Sequence, residues 1–265
     1  MRVFLFTKKT LLFISIVFIL ITTCFLFMFL KSNESFAVEL SYNSCISDEF
    51  KEKISELIKG EEKNVYLTFD DGPNKVVTPK VLDILKEEDV KATFFVIGKN
   101  VLQYPEIVRR AYEEGHFIAN HGYDHNNTNL YKSRENFINE IRKTDNEIGK
   151  AIGVEDYCSH VFRFPNGFMA PNDKSKKNEA AKLLSEMNYT YIDWNCLNND
   201  SMKKYNKSQL MKNLKKSSKD KNTLVVLMHD TKDVSDSSTV LKESIEYFRQ
   251  QGYEFKNFYD LLGKE

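Results

Sequence analysis

The first indication of the fold is the segment Val65-Tyr66-Leu67-Thr68-Phe69-Asp70-Asp71-Gly72-Pro73. Its first five residues form a short run rich in β-branched and aromatic side chains, which favours a buried strand. The run stops at two aspartates followed by Gly-Pro, and these residue types all favour a turn. A buried strand that ends in two adjacent carboxylates is either a simple turn or part of a functional site.

Outward from this stretch, strand-like runs alternate with helical patterns to the end of the chain. Predicted strands cover residues 65–69, 92–97, 117–119, 161–164, 189–193 and 223–228, and residues 255–262 complete the domain. Predicted helices cover residues 76–88, 102–114, 133–151, 172–187, 208–217 and 237–251. This alternation predicts an α/β fold with a parallel sheet, either an open doubly wound sheet or a closed barrel.

In both architectures, functional residues gather at the C-terminal ends of the strands. Five predicted strand ends carry such residues: Asp70 and Asp71, His121 with His125, Arg163, Asp193 with Trp194, and His229 with Asp230. Each fragment alone could be a turn or a pair of surface histidines. Five polar strand ends together indicate one site. Histidines at i and i+4 of a helical turn also share one face, as a metal ion requires.

In their order and spacing, these segments resemble the motifs of the polysaccharide deacetylase family, also called the NodB-homology or carbohydrate esterase 4 (CE4) family. The matching segments are Thr68-Phe69-Asp70-Asp71-Gly72-Pro73, His121-x-x-x-His125, Arg163-Phe164-Pro165-x-Gly167, Asp193-Trp194 and Leu227-Met228-His229. The resemblance covers about residues 60–263. It implies that the sheet is a distorted parallel (β/α) barrel of about seven strands.

The resemblance also implies a metal centre in which Asp71, His121 and His125 bind one divalent ion. Two imidazoles and one carboxylate leave coordination positions open for water and substrate. Such a set suits Zn²⁺, with Co²⁺, Mn²⁺ and Ni²⁺ as alternatives. Asp70 would be the general base on the metal-activated water, and Arg163 would pair with Asp70 and hold it in place.

The remaining motif residues would act on the leaving group and the sugar. His229 would be the general acid that protonates the leaving amine, and Asp193 would orient His229 and raise its pKa. Trp194 would wall the substrate groove. Pro165 and Asn166 belong to the turn beside it, where the backbone N–H of Asn166 would stabilise an oxyanion.

Two positions depart from the family pattern. Gly122 stands where a Ser or Thr hydroxyl usually braces the loop after the first histidine, and Asn166 stands where a Tyr is common. The first change predicts a looser metal loop. Neither change removes a ligand or an acid–base residue, so we expect activity.

The N-terminal residues predict a membrane anchor. Residues 10–30 are uncharged and mostly apolar, with basic residues before them and Lys31 after them. This run is long enough to span a bilayer with the N-terminus inside. We expect a signal anchor over residues 1–31, a polar tether with a short helix over 32–60, and an extracytoplasmic catalytic domain over 61–265. A cleavable signal peptide ending at Ala37, which would make the protein secreted, is the alternative.

Composition and topology narrow the function further. The chain has 38 basic and 38 acidic residues, without the basic excess typical of nucleic-acid-binding domains. We expect a metal-dependent deacetylase of cell-wall polysaccharide, acting on N-acetylglucosamine of peptidoglycan. N-acetylmuramic acid, chitin oligomers and poly-N-acetylglucosamine are alternative substrates. A non-catalytic, anchored carbohydrate-binding protein is the alternative from another class.

Overall fold

The computed structural model describes residues 47–231 and 236–262, which all fall in one compact unit. The predicted anchor over residues 10–30 and the possible cleavage site at Ala37 lie outside these ranges. Within them, no helix combines the length and the apolar character needed to cross a membrane. The predicted boundaries at residues 31 and 60 stay predictions.

The predicted alternation of strands and helices is confirmed. The strands are β1 Asn64–Asp70, β2 Thr93–Val96, β3 Phe117–Asn120, β4 Val161–Phe162, β5 Thr190–Tyr191, β6 Cys196–Leu197, β7 Leu224–His229 and β8 Glu254–Lys256. The helices are α1 Asp48–Glu56, α2 Val77–Glu87, α3 Gly98–Gln103, α4 Pro105–Glu113, α5 Asn127–Leu130, α6 Arg134–Ile152, α7 Lys174–Glu186, α8 Lys207–Ser218 and α9 Ser238–Gln250. Short 3₁₀ helices cover Leu57–Lys59 and Phe258–Leu261.

Strand β1 is the centre of a parallel sheet with the order β5-β4-β3-β2-β1-β7-β6. Strand β8 pairs with the first residues of β1, Asn64–Tyr66, while β2 pairs with Thr68–Asp70 on the second half. In the described ranges, β5 and β6 do not pair with each other. The sheet is therefore a curled half-barrel that is open on one side, in agreement with the predicted distorted (β/α) barrel.

Three elements differ from the predicted pattern. The helix predicted over residues 102–114 is two helices, α3 and α4, because Pro105 lacks an N–H and occupies the first position of a new helix. Helix α5 and strand β6 were not predicted. Both are too short, at four and two residues, to show a hydrophobic period.

Helix α6 packs against the strands that carry the site. Ser133 caps the start of this helix, because its hydroxyl accepts from the backbone N–H of Asn136. The helix ends at Gly153 in the left-handed region, φ 76°. Its apolar side forms a stripe that includes the fully buried Ile141 and Ile148. This apolar stripe holds α6 against the sheet and so brings its polar side chains to the loop that follows β3.

The chain closes with an aromatic side chain inside the half-barrel. Phe258 has no exposed surface. Its ring centroid lies 6.0 Å from that of Tyr66, 6.1 Å from that of Phe95 and 5.7 Å from that of Phe117. The C-terminal 3₁₀ helix thus joins β1, β2 and β3 from the interior.

Replacing Phe258 by Ala is therefore expected to lower the free energy of unfolding by about 3–5 kcal/mol, because it leaves a cavity among these rings. Ile58→Ala, at a side chain 42% exposed, is the control and should change stability by about 0.5 kcal/mol or less. Urea denaturation of both variants measures the difference. Equal losses would show that Phe258 does not join the strands.

Candidate metal centre and active site

The candidate site forms where neighbouring strands end. In the register of β1 and β7, Asp70 lies directly beside His229. Asp71 follows at the end of β1, and His121 follows the last residue of β3. The parallel sheet therefore brings three of the predicted strand-end groups to one edge.

The three predicted metal ligands converge on one point. Asp71 Oδ1 lies 3.3 Å from His121 Nε2 and 3.4 Å from His125 Nε2, and the three ligand atoms lie within 4.8 Å of one another. Asp71 Oδ1 is buried and has no hydrogen-bond partner among the described residues. A buried carboxylate oxygen that faces two imidazole nitrogens fits a divalent cation.

The hydrogen bonding of His121 and the charges around Asp71 also fit a cation. His121 Nδ1 lies 2.8 Å from the carbonyl oxygen of Arg163, which assigns the proton to Nδ1 and leaves the Nε2 lone pair for a metal. Burial alone would raise the pKa of Asp71, but the three nearby histidines, His121 above all, hold this pKa well below its usual range. Burial and the charge of His121 lower the pKa of His125.

The backbone around the metal ligands is strained. Asp71 and His125 have positive φ, at 73° and 55°, in a region that L-residues rarely adopt. Asn100 supports the backbone of Asp71, because its Nδ2 donates to the Asp71 backbone oxygen at 2.8 Å. Such conformations persist only where the surroundings hold them, so contacts to this backbone are part of the site.

Two side chains hold the loop between His121 and His125. Asn120 Oδ1 accepts from the backbone N–H of Gly122 at 2.9 Å. From helix α6, Glu140 Oε2 accepts from the N–H of Tyr123 at 2.8 Å and from the next N–H at 3.3 Å. The loop that lacks the family's hydroxyl at Gly122 is thus held by an amide and a carboxylate.

The predicted pair of Asp70 and Arg163 is present in the interior. Arg163 Nη1 donates to Asp70 Oδ1 at 2.8 Å and to Thr68 Oγ1 at 2.7 Å. Arg163 is fully buried and Asp70 is 3% exposed. The other carboxylate oxygen of Asp70, Oδ2, lies 3.8 Å from His121 Nε2. Asp70 therefore has one oxygen tied to Arg163 and one turned toward the metal ligands.

The prediction that Asp193 orients His229 is wrong, because Asp200 occupies that position. His229 Nδ1 donates to Asp200 Oδ1 at 2.7 Å, and the backbone N–H of His229 donates to Asp200 Oδ2 at 2.8 Å. Asp193 instead accepts from the backbone N–H groups of Phe168 and Met169, at 2.8 and 3.0 Å. The short strand β6, which pairs with β7, carries the chain past Asp193 and places Asp200 beside His229.

The Asp200 contact changes the acid strength of His229. Burial alone would lower the pKa of His229, but the hydrogen bond and charge of Asp200, with the charges of Asp70 and Asp71, raise it to about 9. His229 is therefore protonated at neutral pH. Its Nε2 lies 3.9 Å from Asp71 Oδ2, so the protonated ring borders the metal centre.

The turn after β4 forms another side of the site. Asn166 is exposed with φ 65°, whereas Pro165 is buried, so of these two predicted substrate-binding residues Asn166 is the one open to a ligand. A Cβ atom on Gly167 would lie 2.8 Å from Cη2 of Trp194, so the half-buried Trp194 packs on this turn. The buried Lys177 of α7 donates to the backbone oxygen of Gly167 at 2.6 Å.

A polar cleft of about 380 Å³ opens beside Asp71 and His125. The other residues that line it are Pro73, Asn74, Ile97, Asn100, Gln103, Tyr104 and Thr231. Amide and hydroxyl groups predominate, which suits a ligand with many hydroxyl groups, such as a sugar.

The family model described as polysaccharide deacetylase matches residues 58–192. The chain belongs to the polysaccharide deacetylase family. The matched segment contains Asp70, the three candidate metal ligands and Arg163. His229 and Asp200 lie beyond it, and the structure brings them to the same site.

Two relatives of this chain are named for peptidoglycan. One is a peptidoglycan-N-acetylglucosamine deacetylase of Listeria monocytogenes, 33% identical over 214 residues, which are 80% of this chain and 42% of the relative. The other is a peptidoglycan-N-acetylmuramic acid deacetylase of Bacillus subtilis, 30% identical over 201 residues, which are 76% of this chain and 72% of the relative. The chain thus matches less than half the length of the Listeria protein.

Solved structures of similar fold include an enzyme and a pseudoenzyme. A Streptococcus mutans CE4 esterase has a TM-score of 0.70 and 28% identity, covering 78% of this chain and 90% of that chain. A CE4 family pseudoenzyme from Bacillus anthracis has a TM-score of 0.63 and 25% identity, covering 76% and 66%. The fold of this family therefore occurs with and without activity.

Removing the Glu140 carboxylate should weaken metal binding, because the loop between the two histidines loses its acceptor. We expect Glu140→Ala to lower Zn²⁺ affinity about 10- to 100-fold, the usual effect of removing a side chain that supports metal ligands without binding the metal. Glu140→Gln keeps one acceptor oxygen, so its Zn²⁺ affinity should lie between those of the wild type and Glu140→Ala. Competition with a chelator measures the affinity. Glu135→Ala on the exposed surface of the same helix is the control, and an unchanged affinity in Glu140→Ala would contradict the expectation.

Replacing Asp200 and Asp193 by Asn, one at a time, tests which of the two carboxylates sets the pKa of His229. In metal-free protein, the His229 ring should lose its proton as the pH rises through about 9. Asp200→Asn removes the carboxylate that raises this pKa most, so the midpoint of the titration should fall toward the ordinary value of 6.5. Asp193→Asn should leave it unchanged. Histidine NMR titration measures both, and the reverse pattern would restore Asp193 to the predicted role.

Proposed function

We propose that this protein is a metal-dependent N-deacetylase of cell-wall polysaccharide, acting on N-acetylglucosamine residues of peptidoglycan. The observation that carries the proposal is the arrangement at one end of the sheet. An unpartnered Asp71 oxygen faces two histidines, with a carboxylate tied to Arg163 on one side and a protonated histidine on the other. This set matches the three needs of amide hydrolysis, which are a nucleophile, a charge stabiliser and a proton donor.

Asp70 is the base in this proposal. A divalent ion held by Asp71, His121 and His125 would supply Lewis acidity and a lowered pKa for water. Because Arg163 holds Asp70 Oδ1, the second oxygen is the one free to accept a proton from the attacking water. The backbone N–H of Asn166 would stabilise the oxyanion that forms on the acetyl carbonyl.

His229 is the acid. Cleavage of the C–N bond leaves an amine that must take up a proton, and His229 holds one at neutral pH. Asp200 accepts the Nδ1–H, which turns Nε2 and its proton toward the site. The products are the free amine of the sugar and acetic acid, with one water proton on Asp70 and the His229 proton on the nitrogen. The acetic acid then ionises to acetate in solvent.

The sugar acted on has a second candidate. The Bacillus subtilis relative is named for N-acetylmuramic acid, so this sugar of peptidoglycan is the main alternative to N-acetylglucosamine. Chitin oligomers and poly-N-acetylglucosamine are further alternatives. Because one protein of similar fold is a pseudoenzyme, a non-catalytic carbohydrate-binding protein is the competing proposal. Against it, this chain retains the proposed metal ligands, base and acid.

Acetate release from N-acetylglucosamine oligomers tests the proposal. Wild-type protein with Zn²⁺ or Co²⁺ should release acetate, and a chelator should abolish the activity until metal is returned. Asp70→Asn should lower kcat by about 10²–10⁴, the usual contribution of a general base. It should still bind metal, since the three ligands remain.

The outcome that would contradict the enzyme proposal is metal binding without acetate release on any acetylated glycan, purified peptidoglycan included. Lys132→Gln, at an exposed side chain, serves as the control for purification and folding. A release that persists in Asp70→Asn would contradict the base assignment alone.

We also propose that the domain lies outside the cytoplasm, held by a membrane anchor over residues 10–30. The length of this uncharged run and the basic residues before it support the proposal. The full chain should remain with membranes after a carbonate wash and be digested by protease added to intact protoplasts. Recovery of a shortened form in the medium would favour cleavage near Ala37 instead.

A further inference from the structure

Positive charge is concentrated in one segment of this chain. Residues 203–221 contain eight lysines and one aspartate, whereas the whole chain has equal numbers of basic and acidic residues. Most of this segment is helix α8, Lys207–Ser218. Its lysines Lys207, Lys212, Lys215 and Lys216 are called the α8 lysine face here.

The packing of α8 leaves these lysines in solvent. The buried residues Leu210, Met211 and Leu214 form the side of the helix that faces the domain. All four lysines of the face are exposed. Asn206 and Gln209 form a capping box at the start of the helix, so the helix that carries the charge is well defined.

The α8 lysine face lacks the neutralising partners found on other helices. Lys51 pairs with Asp48 at 2.9 Å, and Lys242 pairs with Glu88 at 3.2 Å. Across residues 47–231 and 236–262, no carboxylate lies within 4.0 Å of the amino groups of the α8 lysine face. Lys212 and Lys216, four residues apart on one side of the helix, repel each other. The charge of this face is therefore not neutralised within the described residues and is available to an anionic partner.

The position of α8 connects this face to the active site. The helix begins seven residues after Asp200, which holds His229. Because β6 and β7 are parallel, α8 runs back from the catalytic end of the sheet along the side of the domain, over about 18 Å at 1.5 Å per residue. The first lysine of the face, Lys207, therefore lies at the end of the helix nearest the active site.

We propose that the α8 lysine face binds the acidic peptide stems of peptidoglycan, and thereby selects this anionic polymer over neutral N-acetylglucosamine polymers. The inference rests on the proposed deacetylase function and adds its substrate class. Stem peptides carry free carboxylates repeated along the glycan, and chitin oligomers carry none. Lysine ammonium groups on flexible stems suit such spaced, mobile charges, because they act as point charges without a fixed bidentate geometry.

The test compares one anionic and one neutral substrate. The variant K207Q/K212Q/K215Q/K216Q removes the charges of the face while keeping residues of similar helix propensity. On soluble peptidoglycan fragments with intact stems, kcat/KM should fall about tenfold, at the lower end of electrostatic steering effects. On N-acetylglucosamine tetramer it should stay within about twofold. Raising the salt concentration should slow the wild type on peptidoglycan and have little effect on the variant.

A matched control separates the α8 lysine face from net charge. The variant K91Q/K132Q/K174Q/K182Q makes the same change in total charge at four exposed lysines outside α8. Its ratio of kcat/KM on the two substrates should equal that of the wild type. Equal losses by both variants, equal losses on both substrates, or no loss in the α8 variant would overturn the inference, while activity on the tetramer would still support the deacetylase.

A binding assay keeps the inference testable if no acetate is released. The full chain should co-sediment with insoluble peptidoglycan that has been stripped of wall phosphate polymers, and the α8 variant should do so at least several-fold less. Binding that requires the phosphate polymers, or that persists after amidation of the stem carboxylates, would overturn the inference.

Discussion

One buried guanidinium organises the active end of this domain. Arg163 is fully buried and binds Asp70 and Thr68 from β1 and the backbone oxygen of Ile192 after β5. Its guanidinium carbon lies 4.0 Å from the ring centroid of Phe95 in β2. A buried cation needs such partners, since breaking a buried ion pair costs about 3–5 kcal/mol. The same contacts that satisfy the charge therefore fix the distances between strands.

The backbone of Arg163 extends this control to the metal centre. Its N–H donates to the backbone oxygen of Asn120 at 3.0 Å, and its carbonyl oxygen accepts from His121 Nδ1 at 2.8 Å. One residue thus orients the proposed base, Asp70, by its side chain, and sets the tautomer of the candidate metal ligand His121 by its main chain. The covering helices complete the site, because Glu140 from α6 holds the histidine loop and Lys177 from α7 holds the turn at Gly167. In this chain the loop lacks the family's hydroxyl at Gly122, and helix side chains supply the acceptors instead.

Much of the site was accessible from sequence because its residues stand at strand ends, where local patterns are strong. The parallel fold, the three ligands and the Asp70–Arg163 pair follow from runs of apolar residues that stop at Asp, His or Arg. Asp200 was missed because it follows a two-residue strand without a readable period and lies in a polar segment, Asn198-Asn199-Asp200. Asp193, chosen in its place, stands directly before Trp194 but turns to the backbone of Phe168 and Met169.

By itself, the amino-acid sequence determined which residues could do chemistry and which strands carry them, since hydrophobic periodicity and strand-end composition are local properties. It also recorded the surplus of lysines between residues 203 and 221. Only the tertiary structure decided which carboxylate meets His229, which side chains hold the loop at Gly122, and that the α8 lysine face extends from the catalytic end. The contacts of His229 with Asp200 and of Tyr123 with Glu140 join residues 29 and 17 positions apart, and strand register and helix packing set them. A register shift of one residue would reverse every side chain on a strand, so no local pattern in the chain can specify them.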